Sequence, residues 1–176
     1  MSTMQAPSQL ESGSDERQGS CAMEQLRTTL TRSGTGRQVA IVRVRDFVAA
    51  PPLRVAAGPY LLVIASEKQT VGLTEEAARA WIDAGASYVC AWGPDSPSVE
   101  EVFDYASFLP ELGEPIPFTL MTTSHKNETL EDALWFAFYN ATHSDEHDRE
   151  LDTVVILVDS DVLEANCTAW VTEKKE

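Results

Sequence analysis

The chain has 176 residues, of which 43% are hydrophobic, and its formal net charge is −15 at pH 7. This length fits one domain with its own core, and the longest apolar runs are far shorter than the roughly 20 residues that cross a bilayer, so we expect no membrane segment. A strongly acidic surface repels phosphate backbones, and we therefore expect no direct nucleic-acid binding.

Residues 1–36 differ in composition from the rest of the chain, because they are rich in Ser, Thr, Gln and charged residues. Such a segment buries too little apolar surface to offset the entropy lost on ordering, which predicts a disordered tail. Apolar residues at helical spacing leave room within it for a short helix from Ala22 to Thr31. Residues 37–176 are predicted to form a single α/β domain.

Five strands are predicted after this tail. Between Val39 and Val44 the apolar residues are interleaved with arginine, which is typical of an edge strand with one wet face. The other four predicted strands are short apolar runs bounded by polar residues, as strands covered on both faces are. They comprise residues 60–66, 88–92, 118–122 and 153–158.

Helices are predicted between and after these strands. Thr74 and Thr129 are helix caps followed by acidic first turns, and residues 98–101 form a capping box whose helix is stopped by Pro110. Residues 161–175 are weakly helical. The alternation of strands and helices predicts a three-layer α/β fold with a mainly parallel sheet, Rossmann-like or flavodoxin-like, with room for an extra edge strand.

Ligands of such sheets bind beyond the carboxyl ends of the strands, so the polar residues there are the candidate binding site. The candidates for ligand binding are Trp92, Asp95, Thr122, Thr123 and His125. Predicted helices starting at Ser98 and Thr129 direct their positive ends to the same rim, which favours a small anionic or carbonyl-bearing ligand. The competing interpretation is that the two threonines satisfy backbone groups and that the histidine closes a turn.

A metal site is the alternative at this edge. Glu67 follows one predicted strand, and Asp159 and Asp161 follow another, so the three carboxylates could converge on Mg²⁺ and support a metal-dependent phosphoesterase or nuclease. The pattern resembles a toprim-type centre, although no glycine follows the glutamate and no basic cluster is present to hold nucleic acid. Acidic residues that only cap loops and helices are the competing explanation. We predict no cofactor, with Mg²⁺ restricted to the alternative.

Other catalytic arrangements have weaker support in the sequence. Neither GxGxxG nor a Walker loop is present, which argues against dinucleotides and nucleoside triphosphates. Cys90 or Ser124 could act as a nucleophile with His125 as base, but no GxSxG elbow accompanies them and a cysteine within a strand is usually inert. His143 and His147 have helical spacing within a hydrophilic loop, which favours solvated surface over a metal site. The sequence therefore favours a protein that is not an enzyme.

Three short motifs together resemble a family of small uncharacterised bacterial α/β proteins, a domain of unknown function. They are the CAWGP segment from Cys90 to Pro94, the MTTSH segment 121–125 and the ALWF segment 133–136. The resemblance covers residues 60–158 and implies the α/β fold and a bacterial cytosolic setting, with no established activity.

The remaining features agree with a cytoplasmic protein. The three cysteines are widely spaced and the N-terminus has no apolar stretch of signal-peptide length. We expect a non-enzymatic binding or regulatory module that meets a protein or a small anionic ligand, with the Mg²⁺-dependent phosphoesterase or nuclease as the alternative.

Overall fold

A computed structural model of the chain describes residues 27–48, 52, 59–142 and 151–173. Among these residues, no helix combines the length and the apolar content that crossing a membrane requires. The elements, in chain order, are β1 (Arg27–Arg32), β2 (Gln38–Arg43), β3 (Tyr60–Ala65), α1 (Glu75–Asp83), β4 (Ala86–Trp92), α2 (Ser96–Phe108), a 3-10 helix (Pro110–Leu112), β5 (Met121–His125), α3 (Leu130–Tyr139), β6 (Thr153–Val158) and α4 (Asp161–Glu173).

The strands form one sheet in the order β1-β2-β6-β3-β4-β5. All neighbours are parallel except β1, which is antiparallel to β2 and forms the extra edge strand. The order β5-β4-β3-β6 is the 3-2-1-4 arrangement of a doubly wound, Rossmann-type sheet. The predicted three-layer α/β fold with a mainly parallel sheet is therefore confirmed.

Two apolar cores lie on the two faces of this sheet. Helices α1 and α2 bury Trp81 and Phe103 against one face, while α3 and α4 bury Phe138 and Cys167 against the other. All six residues of β3 are buried, as expected for a central strand covered on both sides. The continuous apolar run that predicted this strand therefore reflects its position between the two helical layers.

The predicted caps of α1 and α3 are confirmed. Thr74 Oγ1 accepts a hydrogen bond from the Ala77 amide at 3.3 Å, and Thr129 Oγ1 accepts one from the Asp132 amide at 3.1 Å. Each cap satisfies an amide that the helix itself leaves without a partner. Helices α1 and α3 thus begin directly after the threonines that the sequence predicted as their caps.

The prediction of a tail over residues 1–36 is wrong for residues 27–36, and the predicted helix over 22–31 is wrong from Arg27 onward. Residues 27–32 form β1, and the turn at 33–36, closed by the Gly36 amide to the Ser33 carbonyl at 3.0 Å, returns the chain to β2. A Thr-rich segment gains backbone hydrogen bonds once a neighbouring strand is available. The strand after the turn is consequently interior, not the predicted edge; residues 1–26 lie outside the described residues.

Two further predicted boundaries are corrected. Helix α2 starts at Ser96 with Asp95 as its cap, so the predicted capping box at 98–101 does not form; Pro97 in the first turn favours this earlier start. The strand predicted at 118–122 begins at Met121 and is the edge strand β5, half-exposed along most of its length. Thr122, Thr123 and His125 accordingly lie within a strand and not beyond its end.

Candidate functional site

The carboxyl ends of β3 and β6 form the point where the sheet changes winding direction. These two strands are neighbours, but β3 leads into α1 on one face and β6 leads into α4 on the other. Their following loops lead to opposite faces of the sheet, and the crevice between such loops is the general ligand position of doubly wound sheets. Ser66 follows β3 directly and Asp159 follows β6 directly.

Three side chains at this crevice, Ser66, Lys68 and Asp159, form what we call the switch-point cluster. Ser66 Oγ donates to Asp159 Oδ2 at 2.6 Å and accepts from the Lys68 amide at 3.1 Å. Lys68 Nζ lies 3.5 Å from the same carboxylate oxygen, with 48% of its side chain exposed against 5% for Asp159. The buried carboxylate is thus paired, and the lysine carries the cluster's positive charge to the surface.

Neighbouring contacts hold this cluster in place. Arg43, the last residue of β2, forms an ion pair with Asp161 on the other side of β6. Lys68 Nζ also lies 5.9 Å from the centroid of the buried Phe47 ring, which is a cation–π distance. Two cations therefore flank the end of β6, one on each side.

Gly93 brings β4 against the switch-point cluster. Its φ is +114°, and a Cβ at this position would lie 1.8 Å from the Ser66 carbonyl oxygen. The Ser66 amide in turn donates to the Trp92 carbonyl at 3.2 Å. Only glycine permits this approach, because any side chain would occupy the space of the carbonyl group.

A second group of polar side chains lies on the α3 side of β4 and β5, and we call Cys90, Thr123, His125 and Glu128 the lateral cluster. His125 Nδ1 is 2.8 Å from Glu128 Oε2, and His125 Nε2 is 3.2 Å from Thr123 Oγ1. Thr123 Oγ1 donates to Cys90 Sγ at 3.3 Å. Trp92 closes the group by donating from Nε1 to the Glu128 carbonyl at 2.9 Å.

The His125 ring joins the two halves of the lateral cluster. One ring nitrogen contacts the Glu128 carboxylate and the other contacts the Thr123 hydroxyl, which in turn donates to Cys90. The Phe136 ring, 4.9 Å from the His125 ring, covers the imidazole, which is 5% exposed.

The proposed nucleophiles do not fit this geometry. Burial raises the pKa of the Cys90 thiol to about 12, although the bond from Thr123 opposes this shift, so the thiol stays protonated at neutral pH. Ser124 Oγ lies 3.0 Å from Ser96 Oγ of α2, on the opposite face of β5 from His125. A Ser124–His125 pair is therefore excluded by strand alternation, because adjacent strand residues point to opposite faces.

The five predicted ligand residues divide between the two faces of the sheet. Trp92, Thr123 and His125 lie together on the α3 side, as described above. On the α2 side, Thr122 Oγ1 donates to Asp104 Oδ1 at 2.7 Å, and Asp95 Oδ2 accepts from the Val71 amide at 2.6 Å. The five residues therefore do not converge on one ligand.

Asp95 also borders an open groove of about 310 Å³ between α2 and the loop before α1. Its lining includes Thr70, Leu73, Ser98 and Val102. The carboxylate of Asp95 is held by the loop amide it accepts from, so its role here is to fix the loop against the start of the helix.

The three carboxylates of the predicted Mg²⁺ site point to different partners. Asp159 pairs with Ser66 and Lys68, Asp161 pairs with Arg43, and Glu67 is exposed. Within the ranges that the structure describes, no group of three or more His, Cys, Asp or Glu residues is arranged to hold a metal ion. His143 and His147 lie outside the described residues.

Sequence reasoning missed Lys68 and Glu128, which complete the two clusters. Lys68 stands two residues after the predicted end of β3, and Glu128 stands three residues after His125. Both positions follow strand ends closely, and that proximity is the signal that could have included them.

The fold and the crevice define a doubly wound α/β domain with a polar cluster at its switch point. The chain belongs to the DUF7684 family, a domain of unknown function whose model matches residues 39–174. This confirms the resemblance to an uncharacterised family that the sequence motifs indicated. A comparison with curated proteins finds no match.

Proposed function

We propose that this chain is a non-enzymatic binding or regulatory module of the bacterial cytosol, which takes a small anionic ligand at the switch-point cluster. The observation that carries the proposal is the half-exposed Lys68 ammonium, held above the buried Asp159 carboxylate where the loops after β3 and β6 diverge. Crevices at this position are the usual ligand sites of doubly wound sheets.

The chemistry of the cluster suits one carboxylate or phosphate group. Lys68 has three N–H donors, and since Asp159 Oδ2 lies near one of them, the others can face the oxygens of a ligand. The first turn of α4 begins two residues after Asp159 and adds a partial positive charge. The net charge of the chain repels anions, but screening limits that repulsion to roughly 8 Å at physiological ionic strength.

The alternative, an Mg²⁺-dependent phosphoesterase or nuclease, would use Glu67, Asp159 and Asp161 as metal ligands. Two of these carboxylates have cationic partners within the fold, and a metal ion would have to displace Lys68 and Arg43 from them. These contacts favour the binding module. Micromolar binding of a divalent metal that Asp159→Ala abolishes would favour the alternative over the binding module.

An NMR titration tests the proposal. Sodium phosphate and sodium acetate are titrated into the labelled chain at constant ionic strength, maintained with sodium chloride. We expect saturable shifts of the Ser66, Lys68 and Gly93 amides, because the Ser66 amide donates to the Trp92 carbonyl, which shares a peptide bond with the Gly93 nitrogen. Shifts that increase linearly without saturation, or that spread evenly over the surface, would contradict the proposal.

Variants of two lysines provide the matched comparison. Lys68→Met should lower the affinity for phosphate at least about tenfold, because it removes the cation that pairs with the ligand. Lys68→Arg keeps the charge and should retain binding. Lys126→Met removes an exposed lysine directly after β5 and should leave the affinity unchanged. Equal losses in Lys68→Met and Lys126→Met would mean that only net charge matters, and would overturn the site.

A further inference from the structure

The edge strand β5 presents a row of backbone groups away from the sheet. Within the described part of the chain, β5 pairs with β4 alone, over Met121–His125 and without a register shift. In such a strand alternate residues direct their N–H and C=O groups outward, where they can pair with another strand. The geometry of a regular edge is thus available for a further strand, parallel or antiparallel.

The usual protection of an edge strand is missing from β5. Natural edges are blocked by lysine, proline, bulges or inward charges, whereas the segment Met-Thr-Thr-Ser-His contains no proline, lysine or acidic residue. The prolines at 115 and 117 lie before the strand and leave its five residues open. An edge of this composition admits a further strand.

Carboxylates flank β5 on both faces of the sheet, one from α2 and one from the loop before α3. Asp104 of α2 accepts a hydrogen bond from Thr122, and Glu128 contacts His125 from the opposite side. Glu100 of α2 interacts with the same groups. Burial, followed by the Asp104 carboxylate, raises the pKa of Glu100, whereas His125 lowers it. One exposed lysine, Lys126, follows β5 directly, so the three carboxylates leave the edge with an excess of negative charge, which selects a cationic partner.

Exposed aromatic side chains follow Asp104 on α2, the helix that contacts β5 through the Thr122–Asp104 hydrogen bond. Phe108 lies one helical turn beyond Asp104, is 63% exposed, and packs against the exposed Tyr105 ring with centroids 5.6 Å apart. Met121, the first residue of β5, is also exposed. Together they offer an apolar contact for a side chain at one end of an added strand.

We propose that β5 is a docking site for an extended, basic segment of a partner protein, which adds a strand to the sheet. Its backbone pairs with the outer groups of β5, its Lys or Arg side chains face Asp104 and Glu100 on one side and Glu128 on the other, and an apolar side chain contacts Phe108. This mode of recognition obtains affinity from the backbone and specificity from alternate side chains.

Charge argues against the other occupants. A second copy carries the same net charge of −15 and would bring like charges together. Segments 1–26 and 143–150 of this chain each contain four acidic residues and one basic residue, a balance of −3 with His neutral, so neither complements the edge. Residues 49–58 contain one arginine as their only charged residue, and residues 174–176 are too few to form a strand along β5. A basic segment of a different protein is the occupant that fits.

The probe is a short synthetic peptide in which Lys alternates with Val and Thr, with a control peptide in which Glu replaces each Lys. Binding is measured by fluorescence anisotropy, and hydrogen exchange locates it. We expect the Lys peptide alone to bind and to slow the exchange of amides within 121–125. Binding of the Glu peptide with equal affinity, or slowed exchange elsewhere only, would overturn the proposal.

Charge-matched variants identify the flanking carboxylates. Glu100→Gln with Asp104→Asn should weaken binding of the Lys peptide by about tenfold, while Glu75→Gln with Glu76→Gln, on α1, should leave it unchanged. Equal effects of the two double variants would reduce the interaction to net charge and contradict the site. A concentration-dependent dimer in sedimentation that itself slows exchange within 121–125 would assign the edge to a second copy.

Discussion

The switch-point cluster and the lateral cluster are both built from polar side chains near the carboxyl ends of neighbouring strands, but they differ in access. Lys68 is 48% exposed in the first, whereas the His125 side chain is 6% exposed in the second. The helices diverge after β3 and β6, while α3 returns over β4 and β5 and places Phe136 on the imidazole. Polar residues near strand ends therefore keep an exposed cation where the winding changes direction, and they are covered where a helix returns over the sheet.

The largest effect is expected at Gly93, where β4 contacts the switch-point cluster. Gly93→Ala places a Cβ against the Ser66 carbonyl at a φ of +114°, so overpacking and backbone strain should together lower the free energy of unfolding by on the order of 4 kcal/mol. Urea denaturation followed by circular dichroism measures this change.

Gly36→Ala is the matched control for Gly93→Ala. Gly36 also has a positive φ, +84°, but a Cβ added there would have no atom within 4 Å. Only the strain should remain, about 1 kcal/mol. Similar losses of stability in the two variants would mean that the contact with the Ser66 carbonyl adds no cost beyond backbone strain. A glycine at position 93 would then not be required for the close approach of β4 to the switch-point cluster.

Loss of the buried carboxylate is the next effect in size. Asp159→Ala leaves the Ser66 hydroxyl, itself buried, without its acceptor, and should lower the free energy of unfolding by about 3 kcal/mol. Asp161→Ala removes a carboxylate that is 69% exposed in its pair with Arg43, and should cost less than about 1 kcal/mol. Equal costs in urea denaturation would show that Asp159 is not buried as described.

Alkaline pH should affect the lateral cluster more than the switch-point cluster. Because burial raises the pKa of Cys90 from 9.0 to about 12, the folded state retains a proton that the unfolded chain releases. Stability from this thiol is fully present below pH 9 and is lost between pH 9 and 12, at about 1.4 kcal/mol per pH unit.

Urea denaturation at several pH values between roughly 8 and 11 measures this loss of stability. That range spans the ordinary pKa of a thiol and most of the interval up to the raised pKa of Cys90. Cys90→Ala should make the decline with pH shallower, whatever its effect at neutral pH. The Cys167 pKa is also raised to about 12 by burial, so Cys167→Ala should have a similar influence. An unchanged slope in Cys90→Ala would contradict the raised pKa.

The smallest effect is expected from divalent metals. Calorimetry with Mg²⁺ and Mn²⁺ should detect no micromolar binding, because Asp159 already accepts from Ser66 and pairs with Lys68, and Asp161 pairs with Arg43. Micromolar binding that Asp159→Ala abolishes would instead support the metal-dependent alternative and would reverse the proposed use of the crevice.

The sequence predicted those parts of the fold that local signals determine. The apolar runs of β3 and β6 and the caps at Thr74 and Thr129 identify elements by short-range patterns. The edge strands were mispredicted because β1 and β5 depend on pairing with a neighbour, and a Thr-rich or half-exposed segment has no such signal of its own. Local patterns also placed the start of α2 at the wrong serine.

The switch-point cluster illustrates the same limit for function. Ser66 and Asp159 are 93 residues apart in sequence, and only the strand order β6-β3 makes them neighbours. Asp159 was recognised as a candidate through its position after an apolar strand, but its partner depended on topology. Because β5 runs from Met121 to His125, Thr122 and Thr123 lie within the strand and point to opposite faces of the sheet. The predicted ligand residues are therefore divided between the two faces.

The antiparallel hairpin of β1 and β2 has a practical consequence for work with this chain. β1 and β5 are the opposite edges of a six-stranded sheet, so five strand spacings, roughly 24 Å, separate them. The chain enters the sheet at Arg27, and this residue is therefore far from β5. A fluorophore, affinity handle or carrier protein joined directly ahead of Arg27 is attached at the edge opposite β5, which makes this position suitable for immobilisation while β5 stays accessible to other molecules.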